Sequence, residues 1–391
     1  MDTDSLIAGR YNVFQIIGHT DGATIAWAMD QQTWQPVVAL KRMNEIPRQL
    51  RYIPGILTCD DTVSDYDDDD LDTKIFRDIG QVLSGRPAPW PADFAPRIRD
   101  LLRSVGERLA SEHLGLAHSA LGHIAVRNDG DFVLLDPPLV RLPHLSDSDL
   151  LEWQIDMHCD ASAHWGAFTD AGDTRVLNED TWARHRHLAG ELWICADGLG
   201  GFQAGELGVR LALRAAMGVM PCADPIAAVL DRAEREFHVL KAKHDQFAGA
   251  GAAVVAAWIL HGVAHIGWVG DCRAWLVRGG LRPLTRDHSL IEKMLQEGKI
   301  SLEEAVDHPH RNILLRSLGV APGLEIERKQ VALQPGDRLV LTTDGVHAEL
   351  QPAEMTRILD ENKPPNDAAK ALVLGGVASH DNGAAVVIDI A

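Results

Sequence analysis

Short apolar runs separated by turn residues dominate the second half of the chain. Three of these runs, at 252–260, 264–269 and 274–277, follow one another with only His-Gly and Gly-Asp turns between them. Apolar runs of this length, bounded by turn signals, are typical of buried strands. The pattern therefore predicts three consecutive strands of an antiparallel meander.

Other segments show either the strand pattern or apolar residues at a helical period. Further strands are predicted at 191–196, 338–342 and 384–390. Helices are predicted at 98–114, 205–220, 290–297, 302–306, 353–359 and 367–374. Because the strands and helices come in separate runs, the order favours an α+β sandwich over a parallel βαβ sheet.

Length and composition are those of a globular protein with more than one domain. The chain has 391 residues, of which 46% are hydrophobic and 24% are charged. At about 150 residues per domain, this length suggests two or three domains. A stretch rich in Pro, Ser and Asp near residues 137–149 predicts a boundary at about 155, which separates domains at 1–150 and 155–391.

The charge balance narrows the choice of partners. Lys and Arg number 37 against 56 Asp and Glu, which gives a net charge of −19. A chain with this net charge repels polyanions, so we expect neither nucleic-acid binding nor binding to an anionic membrane.

No apolar run reaches the 18 residues of a membrane span, and the acidic start does not resemble a secretory signal. Five scattered cysteines without a C-x-x-C pair predict reduced thiols and a cytoplasmic location.

Acidic residues stand repeatedly where a predicted strand meets a glycine turn. Asp197 lies in ICADGLGG, Asp344 in LVLTTDGV and Asp381 in SHDNGAAVVI, and Glu179 and Asp180 add two more carboxylates. A strand end holds a carboxylate rigidly, and the following glycine lets a ligand approach the main chain. Five such acids in one site would repel one another, and oxygen-rich sites are those that Mg²⁺ or Mn²⁺ prefers. The sequence therefore predicts a divalent-cation site.

Six motifs in a fixed order carry a resemblance to a known family. They are GAFTDAGDTRVLNEDTW, DGLGG, HIGWVGDCRAWLVRGGLRPLTRDHSL, EGKISLEEAVDHPHRNILLRSLG, DRLVLTTDGV and DNGAAVVID. Over about residues 160–391 the chain resembles the bacterial metal-dependent protein Ser/Thr phosphatases of type 2C. The resemblance implies an αββα sandwich of two antiparallel sheets flanked by helices, and hydrolysis of phosphoserine and phosphothreonine in proteins.

The same resemblance implies roles for the acidic residues. Asp197 would bridge two Mn²⁺ or Mg²⁺ ions, and the carbonyl of Gly198 would bind one of them. Asp344 and Asp381 would complete the shell of the other ion. Glu179 and Asp180 would bind metal directly or through waters.

Further residues match the family's substrate and auxiliary sites. Arg175 corresponds to the arginine that holds the substrate phosphate, and a water between the metals would attack phosphorus in line. Asp245, which precedes Gly249-Ala250-Gly251, is a candidate ligand for a third ion. We interpret Asp271 and the Asp287-His288 pair mainly as hydrogen-bonding residues that stabilise the fold.

The front of the chain resembles a reduced protein kinase. Residues 9–43 are similar to the first three kinase strands, with Lys41 of VVALK at the position of the ATP-contacting lysine. In GLAHSALGHIAVRNDGDFVLLDPP, Ala120 stands for the catalytic-base aspartate and His123 for the metal-binding asparagine, while Asp136 remains. Without base and metal ligand, phosphoryl transfer is not expected. The resemblance implies an inactive kinase-like regulatory or docking domain, and a Ser/Thr kinase as partner.

Two other interpretations remain open from the sequence. The chain could be a catalytically weak scaffold or sensor in signalling, because its front half has lost kinase residues. It could also be a metallophosphatase for a small phosphorylated metabolite.

Overall fold

The computed structural model divides the chain into two compact units, residues 1–161 with 171–178 and residues 162–170 with 179–391. It describes residues 6–7, 11–20, 23–30, 35–42, 56–57, 61–64, 72–76, 79–82, 88–110, 114–116, 124–127, 132–135, 139–141, 164–172, 178–187, 190–199, 224–243, 248–306, 308–320, 324–362, 364–376 and 381–391. In that part of the chain, no helix combines the length and apolar character that crossing a bilayer requires.

The first unit consists mainly of short antiparallel strands. They are β1 Leu6–Ile7, β2 Tyr11–Thr20, β3 Ala23–Asp30, β4 Gln35–Arg42, β5 Ile56–Leu57, β6 Asp61–Ser64, β7 Asp72–Phe76, β8 Ile79–Val82, β9 Leu114–Leu116, β10 Ile124–Arg127, β11 Phe132–Leu135 and β12 Leu139–Arg141. They form sheets with the orders β1-β2-β3-β4-β7-β6 and β5-β11-β10-β8, and a β12-β9 pair.

Helix α1, Phe94–Ala110, is amphipathic. Its buried apolar residues recur at a helical period: Ile98, Leu101, Leu102 and Val105. The predicted helix at 98–114 therefore exists, but it begins four residues earlier and ends before residue 111. At this earlier start the Phe94 ring makes a tertiary contact, packing edge-on against Phe132 of β11 with centroids 5.0 Å apart.

The second unit contains two five-stranded sheets, antiparallel throughout. Its strands are β13 Trp165–Asp170, β14 Thr181–His187, β15 Gly190–Leu199, β16 Gly251–Leu260, β17 Val263–Val269, β18 Arg273–Val277, β19 Leu281–Pro283, β20 Glu327–Ala332, β21 Arg338–Thr342 and β22 Gly383–Asp389. We call β13-β22-β21-β18-β19 the first sheet and β14-β15-β16-β17-β20 the second sheet.

Six helices lie in the described part of this unit. They are α2 Pro225–Lys243, α3 Leu290–Gln296, α4 Leu302–Val306, α5 Asp344–His347, α6 Pro352–Glu361 and α7 Pro365–Gly376. Helix α7 packs on β13, where a side chain at Gly166 would put its Cβ 2.2 Å from the Asn366 backbone. Helix α2 packs on β17, where Gly267 leaves room for the Ile226 side chain.

Large side chains fill the space between the two sheets. Trp165 of the first sheet lies with its ring centroid 5.0 Å from that of Trp193 and 5.9 Å from that of Trp182, both in the second sheet. All three indoles are at most 3% exposed. The predicted α+β sandwich of two antiparallel sheets flanked by helices is confirmed for this unit.

The predicted meander is wrong at its third strand. Strands β16 and β17 form the expected hairpin, but β18 pairs with β21 and β19 in the first sheet instead of with β17. The cause is the turn at Gly270, whose φ of +103° redirects the chain out of the second sheet. Of the other predicted helices, the one at 205–220 lies outside the described residues.

Candidate metal centre

The predicted acidic residues gather at one end of the two sheets. Asp180 directly precedes β14, and the pairing of Thr181 with Ala196 sets it beside Asp197 near the end of β15. Asp344 follows β21, and Asp381 lies just before its neighbour β22. The hairpin of the second sheet and the strand pair of the first thus each bring two carboxylates to this end.

Asp344 does not lie in a simple turn, as the Asp-Gly pattern suggested. It begins the short helix α5, and its backbone oxygen accepts a bond from Ala348 at 2.7 Å. The next residue, Gly345, is required by close packing, since a Cβ there would lie 1.8 Å from the backbone oxygen of Asn382. This contact brings Asp344 near Asp381.

Backbone and side-chain hydrogen bonds connect the loops that carry these acids. The Glu179 N–H donates to Asn382 Oδ1 at 2.9 Å, and the Glu179 oxygen accepts from the Gly198 N–H at 3.1 Å. The Thr169 hydroxyl donates to the backbone oxygen of Asp180 at 3.1 Å. Because the bonds from Asn382 and from Thr169 join segments of the first sheet to segments of the second, the two pairs of carboxylates are fixed relative to each other.

Burial and mutual repulsion raise the pKa values of the central carboxyls. Burial and the charge of Asp344 raise the pKa of Asp180 well above its usual range, although hydrogen bonds from Thr343 and Asp197 oppose the shift. Burial, together with Asp180, Asp344 and Asp271, does the same to the pKa of Asp197. Burial and the charge of Asp381 raise the pKa of Asp344 to about 6. The site thus opposes negative charge unless positive charge is added.

The chemistry of this donor set fits Mn²⁺ or Mg²⁺. Asp180 and Asp197 lie at adjoining positions of the β14–β15 pair, and a proton or a cation near their carboxylates would relieve the repulsion between them. Hard divalent cations take carboxylate and carbonyl oxygens and retain several waters. Over the described ranges, however, no three His, Cys, Asp or Glu side chains already enclose a common point. These buried carboxylates nevertheless supply the kind of oxygen ligands that Mn²⁺ and Mg²⁺ prefer.

The expected site residues fall into two groups. The structure brings together the six whose positions it describes: Glu179, Asp180, Asp197, Gly198, Asp344 and Asp381. Arg175 and Asp245 lie outside the described residues, so their predicted roles stay predictions.

Sequence reasoning missed several residues of this region. Asn382 orders the Glu179 loop, and the Thr343 hydroxyl accepts from the Ala384 N–H at 2.8 Å. Both residues could have been found from the motifs, because Asn382 directly follows Asp381 and Thr343 directly precedes Asp344. Asp271 was interpreted as a hydrogen-bonding residue, yet its Oδ1 atom is buried and has no hydrogen-bond partner in the described part of the chain. Asp287 does bond, with both oxygens, to Arg273 at 2.8 and 2.7 Å.

Comparisons of the sequence with known proteins give a consistent result. The family model "Protein phosphatase 2C" matches residues 173–372, which is more than half of the chain. Serine/threonine phosphatase stp of Listeria innocua is 33% identical over 217 residues, which are 52% of this chain and 86% of the relative. Protein phosphatase PhpP of Streptococcus pneumoniae is 30% identical over 216 residues, 52% of this chain and 87% of the relative.

A solved structure agrees with these matches. The Mycobacterium tuberculosis serine/threonine phosphatase PstP/Ppp is similar with a TM-score of 0.52 and 26% identity, over 58% of this chain and 97% of that one. The fold and the acidic site together define a metal-dependent protein serine/threonine phosphatase. The chain belongs to the protein phosphatase 2C family.

Proposed function

We propose that this chain removes phosphate from phosphoserine and phosphothreonine side chains of proteins, in a reaction that needs two Mn²⁺ or Mg²⁺ ions. The observation that carries the proposal is the burial of Asp180, Asp197 and Asp344 at one end of the sandwich, where burial and neighbouring carboxylates raise their pKa values. Divalent cations resolve this repulsion, and the same cations would attract a phosphate group.

Each acidic residue has a place in this proposal. Asp197 would contribute to holding both ions, the carbonyl of Gly198 to holding one, and Asp344 and Asp381 to holding the other. Glu179 and Asp180 would hold the ions directly or through water, and Asp245 would hold a third ion. Bound Mn²⁺ or Mg²⁺ would neutralise phosphate charge and lower the pKa of the attacking water.

Arg175 is the residue that we propose for substrate binding. It lies four residues before Glu179, and its planar guanidinium can donate to two phosphate oxygens at once. The water oxygen then forms a bond to phosphorus, the phosphorus bond to the Ser or Thr oxygen breaks, and the alcohol leaves with a proton. No phosphorylated enzyme is needed in this scheme.

The substitution Asp344→Asn tests the mechanism. It keeps the size of the side chain and removes the charge, so we expect kcat for a phosphothreonine peptide with Mn²⁺ to fall at least about 100-fold. Asp360→Asn is the matched control, because Asp360 is exposed on α6 and should leave kcat unchanged. Equal activity of wild type and Asp344→Asn would refute the proposed mechanism.

A substrate panel distinguishes the proposed class from the alternatives. Phosphopeptides should be hydrolysed with a higher kcat/KM than small phosphorylated metabolites. The reverse order would favour a metabolite phosphatase. Absence of turnover in a folded protein that binds Mn²⁺ would instead favour a scaffold.

We also propose that a Ser/Thr kinase produces the substrates and that the protein acts in the cytoplasm.

We further propose that residues 1–150 form an inactive kinase-like regulatory module. The resemblance around Lys41, a residue of β4, supports this proposal. So does the replacement of the catalytic base by Ala120 and of the metal-binding asparagine by His123. Incubation of the full chain with γ-labelled ATP should transfer no phosphate to itself or to a generic kinase substrate. Transfer that Lys41→Met abolishes would contradict the proposal of an inactive module.

A further inference from the structure

A segment far along the chain completes the second sheet at its acidic end. Strand β17 pairs with β16 only as far as Val254, since Gly270 then turns the chain away. Beyond that point Leu318 takes the place of β17: its N–H donates to the Ala252 oxygen at 2.8 Å, and its oxygen accepts from the Ala252 N–H at 3.1 Å. On its other side Ala252 pairs with Gly198. Leu318 therefore lies two strand spacings from Gly198, roughly 10 Å across the sheet.

This segment exposes apolar side chains. Ile313, Leu315 and Val320 are three of the five large apolar side chains that are exposed in the described part of the chain, and Val320, at 59%, is exposed the most. A Cβ at Gly251 would lie 2.7 Å from Val320 Cγ2 and 3.9 Å from Leu199 Cβ. Val320 and Leu199 thus lie beside the same bare stretch of backbone. Because Leu199 directly follows Gly198, an apolar surface adjoins the proposed metal centre.

Helix α2 holds the turn that precedes Val320. The Gly319 N–H donates to Glu234 Oε2 at 2.6 Å, and the Lys241 ammonium donates to the Gly319 oxygen. The other carboxylate oxygen of Glu234 lies 2.9 Å from His238 Nε2. The turn also packs tightly on the helix, since a Cβ at Gly319 would lie 2.9 Å from the Phe237 ring. Both backbone polar groups of Gly319 are therefore bound by side chains of α2.

A buried carboxylate gives this turn a defined orientation. Glu234 is only 9% exposed, and burial of a carboxylate costs free energy unless hydrogen bonds compensate for the lost water. A hydrogen bond to an ionised acceptor is shorter and stronger than one between neutral groups. Because Gly319 leads directly into Val320, the bond to Glu234 fixes where the Val320 side chain lies relative to Leu199.

We propose that Glu234 is a positioning residue for phosphopeptide substrates, which fixes the Gly319 turn so that Val320 contacts an apolar side chain next to the phosphorylated residue. This inference rests on the proposed function and names a feature of its substrates. The occupant of the surface is the substrate's own peptide chain, because the surface adjoins Gly198, whose carbonyl we propose to hold an ion near the bound phosphate. A small phosphate ester has no side chain that could reach Val320.

Steady-state kinetics with saturating Mn²⁺ tests the role of Glu234. The substrates are a phosphothreonine peptide with leucine on both sides of the phosphothreonine, the same peptide with serine in place of both leucines, and p-nitrophenyl phosphate. For Glu234→Ala we expect KM for the leucine peptide to rise about 5- to 10-fold with kcat nearly unchanged, because the lost contact stabilises substrate and transition state equally. KM for the other two substrates should stay within about twofold of wild type.

Two further variants locate the effect. Val320→Ser should reproduce the rise in KM for the leucine peptide without any change in α2. Glu234→Gln keeps an oxygen that can accept from the Gly319 N–H, so it should recover most of the wild-type KM. Since Glu234 acts through Val320, the double variant Glu234→Ala, Val320→Ser should be little worse than either single variant. A Val320→Ser protein with the wild-type KM would overturn the proposal.

Glu191→Gln is the control for general destabilisation. Glu191 bonds to the buried Arg184 at 2.7 Å and lies at the other end of β15 from Gly198. Its substitution should lower the melting temperature and leave KM unchanged for every substrate. If Glu191→Gln raises KM for the leucine peptide as much as Glu234→Ala does, Glu234 only stabilises the fold and the proposal is wrong.

The same measurements distinguish this inference from the proposed function. If the wild type hydrolyses the peptides and Glu234→Ala keeps the wild-type KM, the role of Glu234 is wrong and the phosphatase stands. A fall in kcat for all three substrates would also overturn that role, because the damage would then lie at the metal centre. If the wild type hydrolyses no substrate with Mn²⁺, the proposed function fails and the role of Glu234 fails with it.

Discussion

His347 shows how single side chains keep the surroundings of the acidic site neutral. Burial, with help from the nearby Arg273, lowers the pKa of His347 well below its usual value. Its Nδ1 atom lies 2.8 Å from the Thr342 hydroxyl, which also accepts from the Trp275 indole at 3.0 Å. The imidazole is therefore uncharged, and it positions the Asp271 turn without adding a positive charge that would compete with a cation.

A different residue pair, far along the strands from the acids, stabilises the sandwich. Arg184 is almost fully buried, donates to Glu191 at 2.7 Å and stacks on the rings of Trp165 and Trp193. His164 contacts the other oxygen of Glu191 at 3.0 Å. This arrangement places an arginine charge between the two sheets.

We predict that Glu191→Gln lowers the free energy of unfolding by about 1–3 kcal/mol, because a buried charge loses its carboxylate partner. Urea denaturation measures the loss. Mn²⁺ affinity should not change, since the pair lies at the other end of β14 and β15 from Asp180 and Asp197. An unchanged unfolding free energy would show that the pair contributes nothing.

The stability that Glu191 contributes should depend on pH. Burial raises the pKa of Glu191, but the bonds from His164 and Arg184 outweigh burial, and the net pKa is lowered. A lowered carboxyl pKa gives stability that is present above the usual glutamate pKa and is lost as pH falls through the folded-state value. The difference between wild type and Glu191→Gln should therefore shrink below about pH 4. A difference that grows on acidification would contradict this assignment.

At the scale of elements, hairpins were predictable and sheet membership was not. The β16–β17 hairpin follows from apolar runs and an intervening His-Gly turn, both of which are local. The pairing of β18 with β21 joins segments about 60 residues apart, and no local pattern encodes it. Helix α2 was missed although its buried residues recur at a helical period: Ile226, Val229, Leu230, Ala233, Phe237 and Leu240.

The acidic site was predictable for a related reason. Asp344 follows a strand, Asp381 precedes one and Asp197 lies near the end of one, so local patterns locate all three at strand ends. The approach of Asp271 to this site depends on where the chain changes sheets, which only the three-dimensional register reveals. The Gly270 turn is thus the element that distinguishes the structure from the predicted meander.

We predict that Gly270→Ala destabilises the protein by about 2–5 kcal/mol, from a positive φ together with a clash. A Cβ at Gly270 would lie 2.4 Å from the Ala253 Cβ. Gly262→Ala is the matched control, because Gly262 also has a positive φ but has nothing within 4 Å of its added Cβ. The free energy of unfolding of the control variant, measured by urea denaturation, should fall by only about 1 kcal/mol. Equal losses would show that the close packing of the turn is unimportant.

At the scale of the whole molecule, the cation effect should be confined to the second unit. The carboxylates come from β14, β15, β21 and β22 and from the loops beside them, all within residues 162–170 and 179–391. The net charge of −19 repels anions over the molecule as a whole. Phosphate binding therefore needs a local concentration of positive charge.

Hydrogen exchange of the full chain can locate that effect. With saturating Mn²⁺, we expect stronger protection at 190–199, 264–277, 338–347 and 381–391, because bound ions stabilise the segments that hold them. Segments of the first unit, such as 11–42, serve as the internal control and should exchange unchanged. If Mn²⁺ instead increased protection mainly at residues 11–42, a cation site in the second unit would be contradicted.

The central claim is that the chain hydrolyses phosphoprotein substrates with divalent cations held by the acidic cluster. Its most direct test is hydrolysis of a phosphothreonine peptide by wild-type protein that is first stripped with EDTA and then supplied with Mn²⁺. We predict no turnover after stripping and full recovery as Mn²⁺ is added. Turnover that continues unchanged in EDTA, or that Mn²⁺ fails to restore in folded protein, would contradict the account.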